Sequence, residues 1–422
     1  QQGWQDPGHD RSQWDRLRVP GNWDVRNEYS DYAGIGWYAR TFAVPAEYEG
    51  FRVRLKFEAV YFHARVWVNG VFVGEHYGGY TPFEFDVSEL LRYGGSDNLV
   101  VVAADNRYGT GAWWKWGGIS GDVDLIVNND ARILWQKITP EPDLASGEAV
   151  IRTEVKVEND AGEDRTFQVR LRIRDWETGA VLRDWTTDPA LSASVTVAAG
   201  SAGTAAVSTT LPPALVELWH FDDPNLYVME THLEEDGTLL HRIEDRFGIR
   251  KVEIVGTEFR LNGEPVRLVG FNRVPDDRVN GNTEPDYLVM RDLDYMKTMG
   301  ANMARIFHTP LSQNVLDYAD EIGILLIGEI PVWGGRTAYD MTYARQWLRE
   351  MIERDYNHPS IFAWSVANEI DGNEPAGMEF IREHIDYVRS ELDSSRYLTY
   401  AMHQGKIGAT PDGDAAQYVD FI

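Results

Sequence analysis

The sequence predicts a multidomain, β-rich protein. A jelly-roll-like β-sandwich is expected over residues 1–129 and an immunoglobulin-like β-sandwich over residues 130–250. Part of a (β/α)8 TIM barrel, with about five to six strands present, is expected over residues 251–422. Three observations carry this reading. Short segments that alternate apolar and polar residues, separated by turn signals, fill the first 250 positions. From about residue 251 the pattern changes to apolar strand followed by amphipathic helix, in units of roughly 35 residues. The chain has 422 residues, enough for about two to four domains of ordinary size.

In the first part, Phe51 to Phe57 puts apolar side chains on one face and basic ones on the other. Arg65 to Gly74 reads as a hairpin with Asn69-Gly70 as a two-residue turn of the primed type. Leu99–Ala103 and Val123–Val127 supply further strands. In the second part, Ala149 to Val157 and Phe167 to Ile173 alternate, and Leu191 to Leu211 has valines spaced for a strand, a turn and another strand. About seven short strands in about 120 residues is the size of an immunoglobulin-like sandwich.

In the third part, the strands are Val266–Phe271, Ala304–Phe307, Ile324–Ile327, Ile361–Val366 and Tyr397–Ala401, and Tyr418–Ile422 reads as the start of a sixth. Between them lie segments with helical spacing: Val289, Leu293, Met296 and Met299; Val315, Leu316, Ala319 and Ile322; Trp347, Leu348, Met351 and Ile352; Ile381, Ile385, Val388 and Leu392. Near-continuous apolar strands belong to a parallel sheet covered on both faces. Five and a half units leave such a barrel open, so the sequence is expected to be a fragment or to be completed by residues not in it.

Composition narrows the function. Hydrophobic residues make up 43% and aromatics 12%, which supplies buried cores and argues against disorder. The formal charge of −27 repels phosphate backbones and anionic lipid, which argues against nucleic-acid and membrane partners. With no cysteine, disulfides, thiolate catalysis and cysteine-bound zinc are excluded. There is no apolar run of about 18 residues, and residues 1–6 do not read as a signal peptide. Cytoplasmic and periplasmic or secreted settings both stay open, as does self-association into homo-oligomers.

In (β/α)8 enzymes the reacting groups sit at the C-terminal ends of the strands. That rule selects Asn272 and Arg273 after the first strand, His308 after the second, Glu329 and Trp333 after the third, Asn368 and Glu369 after the fourth, and His403 after the fifth. Glu369 is the strongest: a carboxyl at a strand end beside tryptophan-rich loops can act as a general acid. From position alone it could equally begin the next loop or cap a helix near Pro375.

The run Tyr356-Asn357-His358-Pro359-Ser360-Ile361-Phe362-Ala363-Trp364-Ser365-Val366-Ala367-Asn368-Glu369 closely resembles the acid/base signature of glycoside hydrolase family 2, which holds β-galactosidases, β-glucuronidases and β-mannosidases. Gly34 to Arg40, Val68-Asn69-Gly70, Phe247 to Arg250 with Leu261 to Val266, and Phe307-His308-Thr309-Pro310 resemble other motifs of that family, in the same order. The resemblance implies an exo-acting retaining β-glycosidase, with β-galactosides or β-glucuronides as substrates and no cofactor; the alternative is a non-catalytic carbohydrate-binding protein. It implies Glu369 as acid/base, Asn368 at the sugar 2-hydroxyl, Glu329 as a supporting carboxylate, and His308 and His403 at the substrate. The nucleophile is expected from a strand that this sequence does not contain. Trp333 is the expected sugar platform; Trp113, Trp114 and Trp116 either lie in a loop that reaches the barrel mouth or, for two of them, pack the sandwich edge, and Trp364 inside the fourth strand reads equally as core or as pocket floor. A uronide would need cations, for which Arg273, Arg336, Lys115 and Lys406 are the candidates. Three departures stand out. Gly328 takes the place of a common Asp and Gly121 that of a common Arg, and the Glu-Thr-His run that supplies magnesium ligands in large β-galactosidases is missing after Glu329, so no such metal site is expected.

Overall fold

The computed structural model describes residues 3–95, 97–111, 114–334, 342–402 and 413–422. Three β-rich and α/β layers follow one another along the chain. In the first, a sheet holding Ile35–Ala43, Asp97–Asp105, His63–Val68 and Val71–Tyr77 faces a second sheet of Phe83–Asp86, Arg52–Phe57 and Val123–Asn128. Val53, Leu55, Phe57, Val66, Val68 and Val102 fill the space between them. The predicted hairpin is present: Val68 pairs with Val71, and Asn69 and Gly70 both take positive φ, 51° and 85°, as the primed turn requires.

The second layer pairs a sheet of Ala131–Pro142, Ala149–Asn159 and Ser201–Leu211 with one built on Arg165–Asp175 and Tyr227–Glu235. The alanine- and serine-rich stretch forms strands Ser192–Val197 and Ser201–Leu211, as its valine spacing predicts. Val195, Val197, Ala205 and Val207 point into the core with Phe167, Leu171 and Ile173.

The third layer is a parallel sheet of five strands, numbered here β1 (Gly270–Arg273), β2 (Met303–Ile306), β3 (Leu325–Glu329), β4 (Ile361–Ile370) and β5 (Tyr397–Met402). Helices α1 (Asp286–Thr298), α2 (Gln313–Ile322), α3 (Ala344–Asp355) and α4 (Pro375–Tyr387) alternate with them. Sequence order equals spatial order, as in a barrel. The core of this layer includes Val289, Leu293 and Met296 of α1, Trp347 and Met351 of α3, and Tyr61 and Phe62 of the first layer. No described helix is long and apolar enough to cross a membrane.

Three expectations need correction. The first strand begins at Gly270, four residues later than the apolar run: Val266 instead donates its amide to Phe259, and Val266 and Leu268 pack beside Trp219, Leu261 and Phe362. Met299 follows the last turn of α1 and is 60% exposed. Residues 418–422 form no strand; Asp420 makes one backbone bond to Leu398 of β5 instead.

Candidate active site

The site is built at the C-terminal end of β4. All ten residues of this strand are buried except Glu369. The strand register breaks at its end: Asn368 pairs with Ala401 and Ile370 with Met402 of β5, and Glu369 takes φ 53°. A left-handed conformation costs a non-glycine residue roughly 1–2 kcal/mol. Neighbouring bonds hold it in place: Asn368 donates its amide to Val332 at 2.8 Å, and its carbonyl accepts from Gly334 at 3.2 Å. The bulge turns the Glu369 side chain out of the core.

Beneath it lies a hydrogen-bonded group from three strands. Glu329, at the end of β3, is fully buried. Its carboxylate accepts from Arg305 at 2.7 Å, from the His308 ring at 2.8 Å and from Ser365 at 2.8 Å. Burial alone would raise the Glu329 carboxyl; the His308 bond and the Arg305 charge outweigh it and hold the group below its ordinary range. Arg305 also donates to Asn368 Oδ1 at 2.7 Å. That leaves Asn368 Nδ2 buried with no partner among the described residues. The His308 ring lies 5.0 Å from that of Trp333, and Trp333 Nε1 donates to Glu369 Oε2 at 3.0 Å.

The structure thus brings together Glu369, Asn368, Glu329, His308 and Trp333. Arg273 stands apart: its guanidinium is buried and held by Glu284 and by Asp292. His403, Arg336, Lys406 and Trp113 lie outside the described residues. Trp116 donates to Asp276 at 2.8 Å, and Trp114 is 45% exposed. Sequence reasoning missed Arg305 and Ser365. An arginine in an otherwise apolar four-residue strand was the available signal for Arg305.

The departures at Gly328 and Gly121 have geometric partners. A Cβ at Gly328 would lie 2.5 Å from the Trp364 ring. Trp364 is fully buried and donates to Asp393 at 2.8 Å, so it is core rather than pocket floor. A Cβ at Gly121 would lie 2.5 Å from the Ala59 nitrogen, and the two segments close directly through the Gly121 N–H to the Ala59 carbonyl.

Comparison with known proteins decides the family. Residues 2–128 match the sugar binding domain of glycosyl hydrolases family 2, residues 131–250 match a further domain of that family, and residues 252–421 match its TIM barrel domain. The chain belongs to glycosyl hydrolases family 2. It is 31% identical over 379 residues to a β-galactosidase of Thermoanaerobacter pseudethanolicus, covering 87% of this chain and 48% of that protein. It is 27% identical over 433 residues to a β-glucuronidase of Streptococcus agalactiae, covering 94% of this chain and 68% of that protein. Among solved structures, a putative β-galactosidase from Bacteroides fragilis aligns with a TM-score of 0.85 at 28% identity, covering 94% of this chain and 60% of the other. The family-2 chain therefore spans about half to two thirds of these relatives.

Proposed function

We propose that this chain forms the acid/base half of an exo-acting retaining β-glycosidase that removes terminal β-linked sugars by double displacement. The end of β4 carries the reading. One carboxylate, Glu369, is turned out of a buried strand, held by Trp333 and set beside a buried Arg305–Glu329–His308 group. Protonated Glu369 gives its proton to the glycosidic oxygen as the aglycone leaves, while a second carboxylate bonds the anomeric carbon. Glu369 then takes a proton from water, which displaces that carboxylate. The nucleophile is assigned to residues outside this sequence. Glu329 does not suit that role, because both of its oxygens are already engaged by Arg305, His308 and Ser365. Asn368 Nδ2 is the donor for the sugar 2-hydroxyl, a bond that strengthens in the transition state.

β-Galactosides and β-glucuronides are the proposed substrates, which the names of the relatives support. Of the cations considered for a uronide, Arg273 is tied to Glu284 and Asp292 and Lys115 donates to the Arg107 carbonyl, while Arg336 and Lys406 lie outside the described residues. The test is turnover of alkyl β-galactoside, β-glucuronide and β-mannoside by the full-length protein, with Glu369→Gln alongside. Turnover of the galactoside or the glucuronide that falls about 10²- to 10⁴-fold in the variant is the expected result for substrates with poor leaving groups. Intact turnover in the variant sinks the assignment. Sugar binding without turnover in the full-length protein establishes the non-catalytic alternative instead.

A further inference from the structure

The first sandwich reaches the strand ends of the barrel through the loop that follows Asp105. Its base is closed by Asn106, which is 1% exposed. Asn106 accepts from the Gly34 amide at 2.8 Å and donates to the Lys115 carbonyl at 2.9 Å. Among its described residues, the loop makes two hydrogen bonds with the barrel. Trp116, 7% exposed, donates to Asp276 between β1 and α1. Gly111 accepts the His308 amide at 3.0 Å. Gly111 is buried with φ 88°, and a Cβ there would lie 2.5 Å from the His308 carbonyl oxygen and 2.6 Å from Pro331 Cβ. The backbone of one domain is therefore wedged between the ends of β2 and β3 of another, at a spot that admits no side chain.

What the wedge touches leads straight to the acid. His308 packs on Trp333, two residues beyond Pro331, and Trp333 holds the Glu369 carboxylate. We propose that Gly111 is a positioning residue of the site: the sandwich loop fixes the His308 backbone and Pro331, and through Trp333 the direction in which Glu369 delivers its proton. This rests on Glu369 being the acid. It gives the N-terminal sandwich a part in proton transfer that is separate from any contact with sugar. Small misplacements of a positioned group cost large factors in rate. Here the loss falls on one step, protonation of the leaving oxygen, which matters most when the leaving group is a poor one.

The test compares an alkyl β-glycoside with a dinitrophenyl β-glycoside of the same sugar, in the full-length protein. Gly111→Ala is expected to lower kcat/KM for the alkyl substrate at least tenfold and for the dinitrophenyl substrate less than about threefold. Trp116→Phe, which frees the loop from Asp276 without adding a clash, is expected to show the same selective loss at smaller size. Equal loss on both substrates, or none, in a folded Gly111→Ala protein overturns the proposal. If that variant does not fold, the Trp116→Phe pair decides by the same criterion. Glu369→Gln is measured in parallel. If it shows no selective loss, the acid assignment itself fails; if it does and the loop variants do not, only the role of Gly111 fails.

Discussion

Glu329 carries the electrostatics of the site, although none of it is exposed to solvent. It is fully buried and accepts from Arg305, His308 and Ser365. Removing its charge leaves Arg305 without its main partner, so Glu329→Gln should cost on the order of 3 kcal/mol at neutral pH in denaturant unfolding. The pH dependence follows from the shift. Burial opposes the charged form, but the His308 bond and Arg305 prevail and hold the folded carboxyl below its ordinary value. Such a group stabilises above the unfolded value of about 4.3 and loses that contribution as pH falls through the folded one. The stability gap between wild type and Glu329→Gln should be full at pH 6–7 and narrow below about pH 4; a gap that widens on acidification removes the ion-pair account. One position earlier, Gly328 makes room for the Trp364 ring. Gly328→Ala should destabilise by about 1–3 kcal/mol through overpacking, and an unchanged denaturant midpoint would show that the ring can move aside.

At the scale of elements, the signature at β4 divides into two jobs. Its first half is an anchor. Asn357 accepts the Ile138 amide at 2.8 Å and donates to the Gln136 carbonyl at 2.9 Å, tying the entry of β4 to the second sandwich. His358 bonds Asp320 of α2 at 2.6 Å, and Asp320 also accepts the Ser360 amide. Only Ser365, Asn368 and Glu369, in the last five residues, reach the site. Burial disfavours the His358 cation, yet Asp320 raises its folded value above the ordinary one. A raised histidine stabilises fully below the unfolded value of about 6.5 and loses that contribution as pH rises through the folded value. The difference in unfolding free energy between wild type and His358→Gln should be largest near pH 5–6 and shrink toward pH 9. A constant difference would mean that His358 acts by packing alone. This division was not legible in the sequence, where the motif reads as one block. Strand order, the Asn69-Gly70 turn and the exposed carboxylate were legible, because each depends on spacing within a few residues. The partners of Arg273, 11 and 19 residues away, and of Arg305, 24 and 63 away, depend on how helices and strands stack. No local pattern encodes that.

At the scale of the molecule, the layers are joined by buried, directional contacts rather than by loose surfaces. Trp347 of α3 is 1% exposed and donates to the Tyr77 carbonyl of the first sandwich at 2.8 Å. Its ring meets Phe62 edge-on at 5.8 Å, and a Cβ at Gly78 would lie 2.5 Å from its indole nitrogen. Three residues on, Glu350 accepts from His76 at 3.0 Å and Thr81 at 2.6 Å, both from the sandwich. The Gly111–His308 bond crosses the same seam between sandwich and barrel. A site assembled across such a seam needs the seam intact, so the two layers should share their stability. Trp347→Ala removes a large buried ring and should cost roughly 3–5 kcal/mol. If the layers form one cooperative unit, native-state hydrogen exchange will register that loss equally at amides of His63–Val68 in the sandwich and of β4 in the barrel. Loss confined to β4 would mean that the sandwich is stable by itself and that the wedge at Gly111 is held from one side only.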